Sequence, residues 1–119
     1  MIVIADDCPL ARFTLSRELE QRGIAATYVA SVEAGRALRA NLARALVDLD
    51  LGDGSGVELA EHLRSHAPTL PVAFFTASRD TSEARRHGPV FRKPDQLAEA
   101  VAWIVAHAAG PSEPRGPGR

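Results

Sequence analysis

Met1-Ile2-Val3-Ile4-Ala5-Asp6-Asp7 opens the chain, and Ala45-Leu46-Val47-Asp48-Leu49-Asp50 repeats its plan in the middle. Each is a short apolar run that stops at carboxylates. Unbroken apolar character, without alternation, is what a strand buried on both faces requires, and such strands belong to parallel sheets covered by helices on either side. Two further runs follow the same plan: Val72-Ala73-Phe74-Phe75 stops at Thr76, and Pro89-Val90-Phe91-Arg92 stops at Lys93. Ile24 to Ala30 reads as the remaining strand, second in chain order.

Helical patterns fill the intervals. Pro9 suits the first turn of a helix running to about Gln21 and stopped at Gly23, with Ala11, Leu15 and Leu19 as its buried stripe. Ser31 is placed to cap a second helix carrying Ala34, Ala37, Leu38 and Leu42 on one side. Ser55-Gly-Val-Glu58 is a capping-box pattern that opens a third helix through Leu59 and Leu63, and Pro68 and Pro71 close the linker behind it. A last helix begins near Asp95 and buries Leu97, Val101, Ile104 and Val105. A parallel crossover takes about a dozen residues or more, so the stretch from Thr76 to Lys93 predicts a shortened or irregular fourth helix. Alternation of strand and helix predicts an α/β fold, a doubly wound five-stranded parallel sheet. Right-handed crossovers favour the flavodoxin-like order 2-1-3-4-5.

Composition narrows the function classes. The 119 residues suit one domain, read as residues 1–109, followed by a disordered C-terminal tail over 110–119 that is too poor in apolar side chains to order itself. Hydrophobic residues make up 45%, enough for a core without disulfides. A net charge of −1 gives no general attraction to nucleic acid, so no direct nucleic-acid binding is expected. No apolar run approaches a membrane span and no signal peptide precedes the first strand, so membrane insertion is not expected. The single cysteine, Cys8, has no internal partner, which fits a cytoplasmic location, and reads as a small buried or half-buried side chain.

In open α/β sheets ligands bind at the carboxyl ends of the strands. Asp6, Asp7, Asp48, Thr76 and Lys93 all fall there. The sorting is unusual: five of seven aspartates lie in two short segments, and thirteen arginines accompany a single lysine, Lys93. Packed carboxylates repel one another and call for a cation, and hard oxygen ligands favour Mg²⁺.

The pieces Ile-Val-Ile-Ala-Asp6-Asp7, Leu-Val-Asp48-Leu-Asp-Leu-Gly-Asp-Gly-Ser-Gly-Val-Glu-Leu, Phe-Phe-Thr76-Ala77-Ser and Phe-Arg-Lys93-Pro94 occur in order at these strand ends. In this the chain resembles the receiver domain of two-component response regulators, of the stand-alone, single-domain type. The resemblance implies a phosphoacceptor switch rather than an enzyme, one that catalyses only its own phosphoryl transfer and dephosphorylation. Asp48 would take a phosphoryl group from a phosphohistidine of a histidine kinase or histidine phosphotransfer protein. Asp7, Asp48 and the backbone carbonyl of Asp50 would hold Mg²⁺, with Asp6 acting directly or through water. Lys93 would pair with a phosphoryl oxygen, Thr76 would reach the phosphate and carry the signal, and Ala77 would leave access open. Pro94 matches a Lys-Pro bond that tends to be cis. Phosphorylation would alter contacts with a downstream protein target and could drive homodimerisation.

Three departures from the family pattern stand out. Gly52 replaces a common Pro and is expected to loosen the loop after Asp48. Val90 stands where a switch aromatic is usual, while Phe91 should face the other side of the sheet. The fourth helical region is short. These departures keep a second reading open, a phosphorylation-independent adaptor that binds a partner protein.

Simpler readings compete at several positions. Asp6-Asp7 alone would pass for a helix cap. A calcium loop fails because Asp53 and Leu59 occupy positions that require Gly and Glu. His62 and His66, one turn apart, read as a solvated face without a third metal ligand. Asp-x-Asp also serves haloacid-dehalogenase-type phosphatases, but after the first strand rather than the third. Phe13, with Leu10 and Thr14, and Trp103 fall off the buried stripes. They are surface residues by default and docking contacts by the sharper reading.

Overall fold

A computed structural model describes residues 1–109 of the chain, with side chains through 106; the tail reading for 110–119 falls outside these residues. Five strands, β1 (Ile2–Ala5), β2 (Thr27–Val29), β3 (Arg44–Val47), β4 (Val72–Thr76) and β5 (Val90–Arg92), form one sheet in the order β2-β1-β3-β4-β5. Every pairing is parallel, with Ile4 opposite Tyr28 and Leu46, and Phe74 opposite Val47 and Val90. Helices α1 (Pro9–Gln21), α2 (Val32–Arg36), α3 (Gly56–His66) and α4 (Ser82–Arg85) supply the four crossovers, and α5 (Leu97–Ala109) follows the last strand. The doubly wound, flavodoxin-like fold is the one the strand pattern demands. Among the described residues no helix is long and apolar enough to cross a membrane.

Successive side chains of a strand point to opposite faces, so each unbroken apolar run feeds two cores. Val3, Ala5, Ala45, Val47, Val72 and Phe74 pack under α2, α3 and α4, where Leu59, Leu63 and Ala84 complete the layer. Ile2, Ile4, Leu46, Ala73 and Phe75 face α1 and α5, and meet Leu15, Leu19, Val101 and Ile104. Each fully buried Leu contributes about 1.5–3 kcal/mol relative to an exposed one. Val90 falls in the first layer and Phe91 in the second, as the alternation requires.

Boundaries depart from the sequence reading in several places. β2 spans only Thr27–Val29 because Ile24 is drawn back to the end of α1, its N–H donating to the Leu19 carbonyl. α2 ends at Arg36, with Ala37 as its C-cap, instead of continuing to Leu42. Leu38 and Leu42 still rest against the core, but from irregular chain. Tertiary contact satisfies these leucines without helix, and five residues is too short to be helical unaided. β5 starts at Val90 and α5 at Leu97, and α4 is a four-residue turn. Leu97 and Val105 are only partly buried on the stripe of α5, which Ala100 joins. Cys8 is exposed, not buried or half-buried, because it stands as N-cap at the mouth of the sheet.

Candidate functional site

The three aspartates after β1 and β3 converge at the carboxyl edge of the sheet, the topological switch point between its two halves. One oxygen from each of Asp6, Asp7 and Asp48 lies within 4.8 Å of the others. Parallel pairing of Ala5 with Val47 puts the two turns side by side, and the Asp48 N–H donates to the Ala5 carbonyl at 2.8 Å. Asp6 and Asp48 are buried while Asp7 is open to solvent.

Lys93, after β5, reaches back across the sheet. Its Nζ donates to Asp6 Oδ2 at 2.8 Å and to Asp48 Oδ2 at 2.9 Å, and lies 5.6 Å from the centre of the Phe75 ring. The Lys93–Pro94 peptide is cis. Burial alone would lower the lysine's affinity for its proton, but the hydrogen bonds to Asp6 and Asp48 outweigh it and raise the pKa. Burial pushes the Asp6 carboxyl above its ordinary range, although Lys93 and the Cys8 N–H pull the other way. Lys93 remains the ammonium of the cluster, since two carboxylates share it.

Asp48 keeps Oδ1 away from Lys93, and the Asp50 N–H approaches it at 3.4 Å. Asp7, Asp48, Asp50, Thr76, Ala77 and Lys93 line one open depression of about 330 Å³. Thr76 Oγ1 accepts from the Ser78 N–H at 3.1 Å, which leaves its own proton to donate. The seven residues singled out by sequence are therefore neighbours around this depression, Asp6 forming its inner wall through Lys93. Three carboxylates against one ammonium leave a formal excess of two negative charges. An oxygen-rich set with that charge, partly open to water, fits Mg²⁺, which keeps part of its hydration shell.

The loop after Asp48 is not loose. Gly52 has φ +79°, a conformation closed to Pro and strained for any residue with a Cβ, which explains its place here. Its N–H donates to Asp50 Oδ1 at 3.2 Å, the Leu51 N–H to the Gly54 carbonyl at 3.1 Å, and the Asp53 N–H to the Leu51 carbonyl at 2.8 Å. Ser55 then closes the expected capping box, its Oγ accepting from the Val57 N–H while Glu58 accepts from the Ser55 N–H.

Two participants were missed by sequence reasoning. Arg12 Nη1 donates to the Asp6 carbonyl at 2.7 Å and braces the first acidic turn. Asp53 accepts from the Val32 N–H at 2.8 Å and the Glu33 N–H at 3.0 Å, so the loop after β3 caps α2. No local pattern announces either bond, since the partners are brought together by the fold. Asp6, conversely, is no helix cap: α1 begins after Cys8 without a side-chain cap, and Asp6 Oδ1 takes only the Cys8 N–H.

Beside Lys93 a second, apolar cleft of about 210 Å³ opens between α1 and the β5–α5 turn, lined by Leu10, Ala11, Thr14, Phe75, Pro94 and Leu97. Leu10 and Phe13 are 71% and 57% exposed, an uncommon display for large apolar side chains. Trp103 is partly buried against the α1/α5 layer.

An open parallel sheet with acidic turns after β1 and β3 and a lysine after β5 defines a receiver-type module. The chain belongs to the response regulator receiver domain family, whose model matches residues 2–88; receiver domains are regulatory rather than classical enzymes. It is 35% identical over 78 residues to the photosynthetic apparatus regulatory protein RegA of Rhodovulum sulfidophilum, and 34% over 77 residues to that of Rhodobacter capsulatus. These matches cover 64% and 63% of the chain but only 42% of each relative, so it spans less than half the length of either. Among solved structures, the non-phosphorylated HemR receiver domain of Leptospira biflexa superimposes with TM-score 0.80 at 25% identity, over 97% of this chain and 98% of that one. A CheY-like receiver protein of Methanospirillum hungatei shares the fold, with TM-score 0.73 at 20% identity over 91% and 95% of the chains.

Proposed function

We propose that the protein is a phosphoacceptor switch in which Asp48 takes a phosphoryl group from a phosphohistidine. The observation that carries this reading is Lys93 Nζ bridging Asp6 and Asp48 at 2.8 and 2.9 Å inside a three-carboxylate cluster. A carboxylate oxygen of Asp48 attacks phosphorus, the bond to the imidazole nitrogen breaks, and the electron pair leaves with the histidine. Asp7, Asp48 and the Asp50 carbonyl would hold Mg²⁺, with Asp6 beside them; the ion, when bound, supplies positive charge against the phosphoryl oxygens. Lys93 gives a second positive charge, and would exchange one carboxylate partner for a phosphoryl oxygen. Thr76 offers a hydroxyl proton from the floor of the depression, and Ala77 keeps its rim low.

The donor would be a histidine kinase or histidine phosphotransfer protein seated over the apolar cleft of α1, where Leu10 and Phe13 project. The acyl phosphate carries nearly two negative charges beside Thr76 in place of the carboxylate's one, and biases the surrounding loops toward a second arrangement, changing contacts with a protein target. The test is intact mass after incubation with acetyl phosphate and Mg²⁺. One phosphoryl group is expected on the native chain, and none on Asp48→Asn or in EDTA. Absence of labelling on the native chain would favour the phosphorylation-independent adaptor, which the four-residue α4 and Val90 also suit.

A further inference from the structure

The early end of α2 uncovers a groove on the face away from α1. A depression of about 370 Å³ lies between residues 38–42 and α3. Its apolar side is Leu38, Leu42 and Leu63, which continue into the core. Its polar side is Arg39, His62 and His66, and no Asp or Glu lines it.

The surrounding charges point the same way. Arg39 Nη1 donates to the carbonyls of Arg36 and Leu38, which holds its guanidinium at the rim. Arg36 and Arg39 are exposed; burial first, then the charges of Arg36, His66 and Arg39, lowers the His62 pKa. Of the α3 carboxylates, Glu58 accepts from the Ser55 N–H, and Glu61 lies 3.6 Å from His87. The imidazoles are a poor chelate, because the two arginines repel a metal ion and His66 Nδ1 already faces the His62 carbonyl and Ser65 Oγ.

We infer that this α2–α3 groove docks an acidic, leucine-bearing segment of a partner protein. The leucine floor supplies apolar area, and the Arg36 and Arg39 guanidinium groups select carboxylates by charge complementarity, with His62 and His66 beside them as hydrogen-bonding groups. The interaction does not depend on phosphorylation of Asp48, so it stands apart from the reading above.

The probe is a fluorescein-labelled amphipathic helical peptide with glutamates flanking a leucine stripe, beside a twin carrying lysines instead. Anisotropy titration of the full chain is expected to give a dissociation constant on the order of 10–100 μM for the acidic peptide and at least tenfold weaker binding of the twin. Arg36→Glu/Arg39→Glu should weaken the acidic peptide tenfold or more, whereas Arg85→Glu/Arg86→Glu, with the same charge change on α4, should leave it within about twofold. Equal binding of the two peptides, or equal loss in both double variants, overturns the proposal. Amide shifts on the native chain supply a readout that needs no variant: perturbation at residues 36–42 and 62–67 supports the groove, and perturbation confined elsewhere refutes it. A concentration-dependent dimer abolished by Arg36→Glu/Arg39→Glu would give the groove to a second copy of the chain and refute the acidic partner.

Discussion

Lys93 stands between two buried carboxylates, and its removal tests what the pair is for. Lys93→Met would leave Asp6 and Asp48 without their shared cation, at a cost of up to about 3–5 kcal/mol for unpaired buried charge. We expect lower stability in urea, partial recovery on adding Mg²⁺, and acetyl phosphate labelling reduced by about tenfold or more. Unchanged labelling would remove Lys93 from the proposed chemistry. Gly52 is the other residue whose identity the backbone dictates. Gly52→Ala places a Cβ on a residue with φ +79° and should cost about 1–2 kcal/mol in urea unfolding. The Cβ would meet only Asp7 Oδ2 at 3.6 Å, an ordinary contact, so the loss measures backbone strain rather than a clash.

Among the elements, α2 owes its start to a residue of a different loop. Asp53 takes both Val32 and Glu33 N–H groups, and these bonds hold its carboxyl below the usual carboxylate range. The unfolded chain therefore takes up the proton before the folded one does. The contribution is complete above the ordinary carboxylate range and disappears as pH falls through the lower folded value. We expect protection factors for the amides of Gly35 and Ala37 to drop in acid in the native chain. In Asp53→Ala they should be low throughout and lose that acid dependence, while α3 amides keep their protection. An unchanged pH profile in the variant would show that Ser31, whose Oγ accepts from the Ala34 N–H at 3.0 Å, caps α2 unaided. α4 poses the opposite case. Four residues suffice there because Arg64 Nη2 donates to the His87 carbonyl at 2.8 Å and Arg64 Nε to the Leu70 carbonyl at 3.1 Å, fastening the return to β5.

The whole molecule rests on two cores that share one sheet. Leu15 and Leu59 are both fully buried, one in each layer. Leu15→Ala and Leu59→Ala should each cost about 2–5 kcal/mol, because each leaves a cavity against strands that cannot relax. Since every central strand contributes to both layers, either loss should shift a single thermal transition rather than split it. Two separated transitions would show that the layers unfold independently.

Much of this architecture is legible without coordinates, because strands buried on both faces must be apolar throughout and must stop where the chain meets water. Met1–Asp7 and Ala45–Asp50 carry that signature, and it fixes the strands, the parallel sheet and the end of it where Asp6, Asp7, Asp48, Thr76 and Lys93 gather. Local chemistry likewise announces the Ser55–Glu58 capping box and the start of α1 at Pro9. Tertiary structure alone decided that α2 stops at Arg36, since Leu38 and Leu42 gain burial from irregular chain as readily as from helix. It also decided that Cys8 is exposed, that Gly52 closes a tight loop rather than loosening one, and that Asp53 caps a distant helix. Sequence periodicity reports which residues want burial or a strand end. Bonds between residues far apart in the chain, such as Arg12 to Asp6 or Asp53 to Val32, exist only once the sheet has brought their elements together.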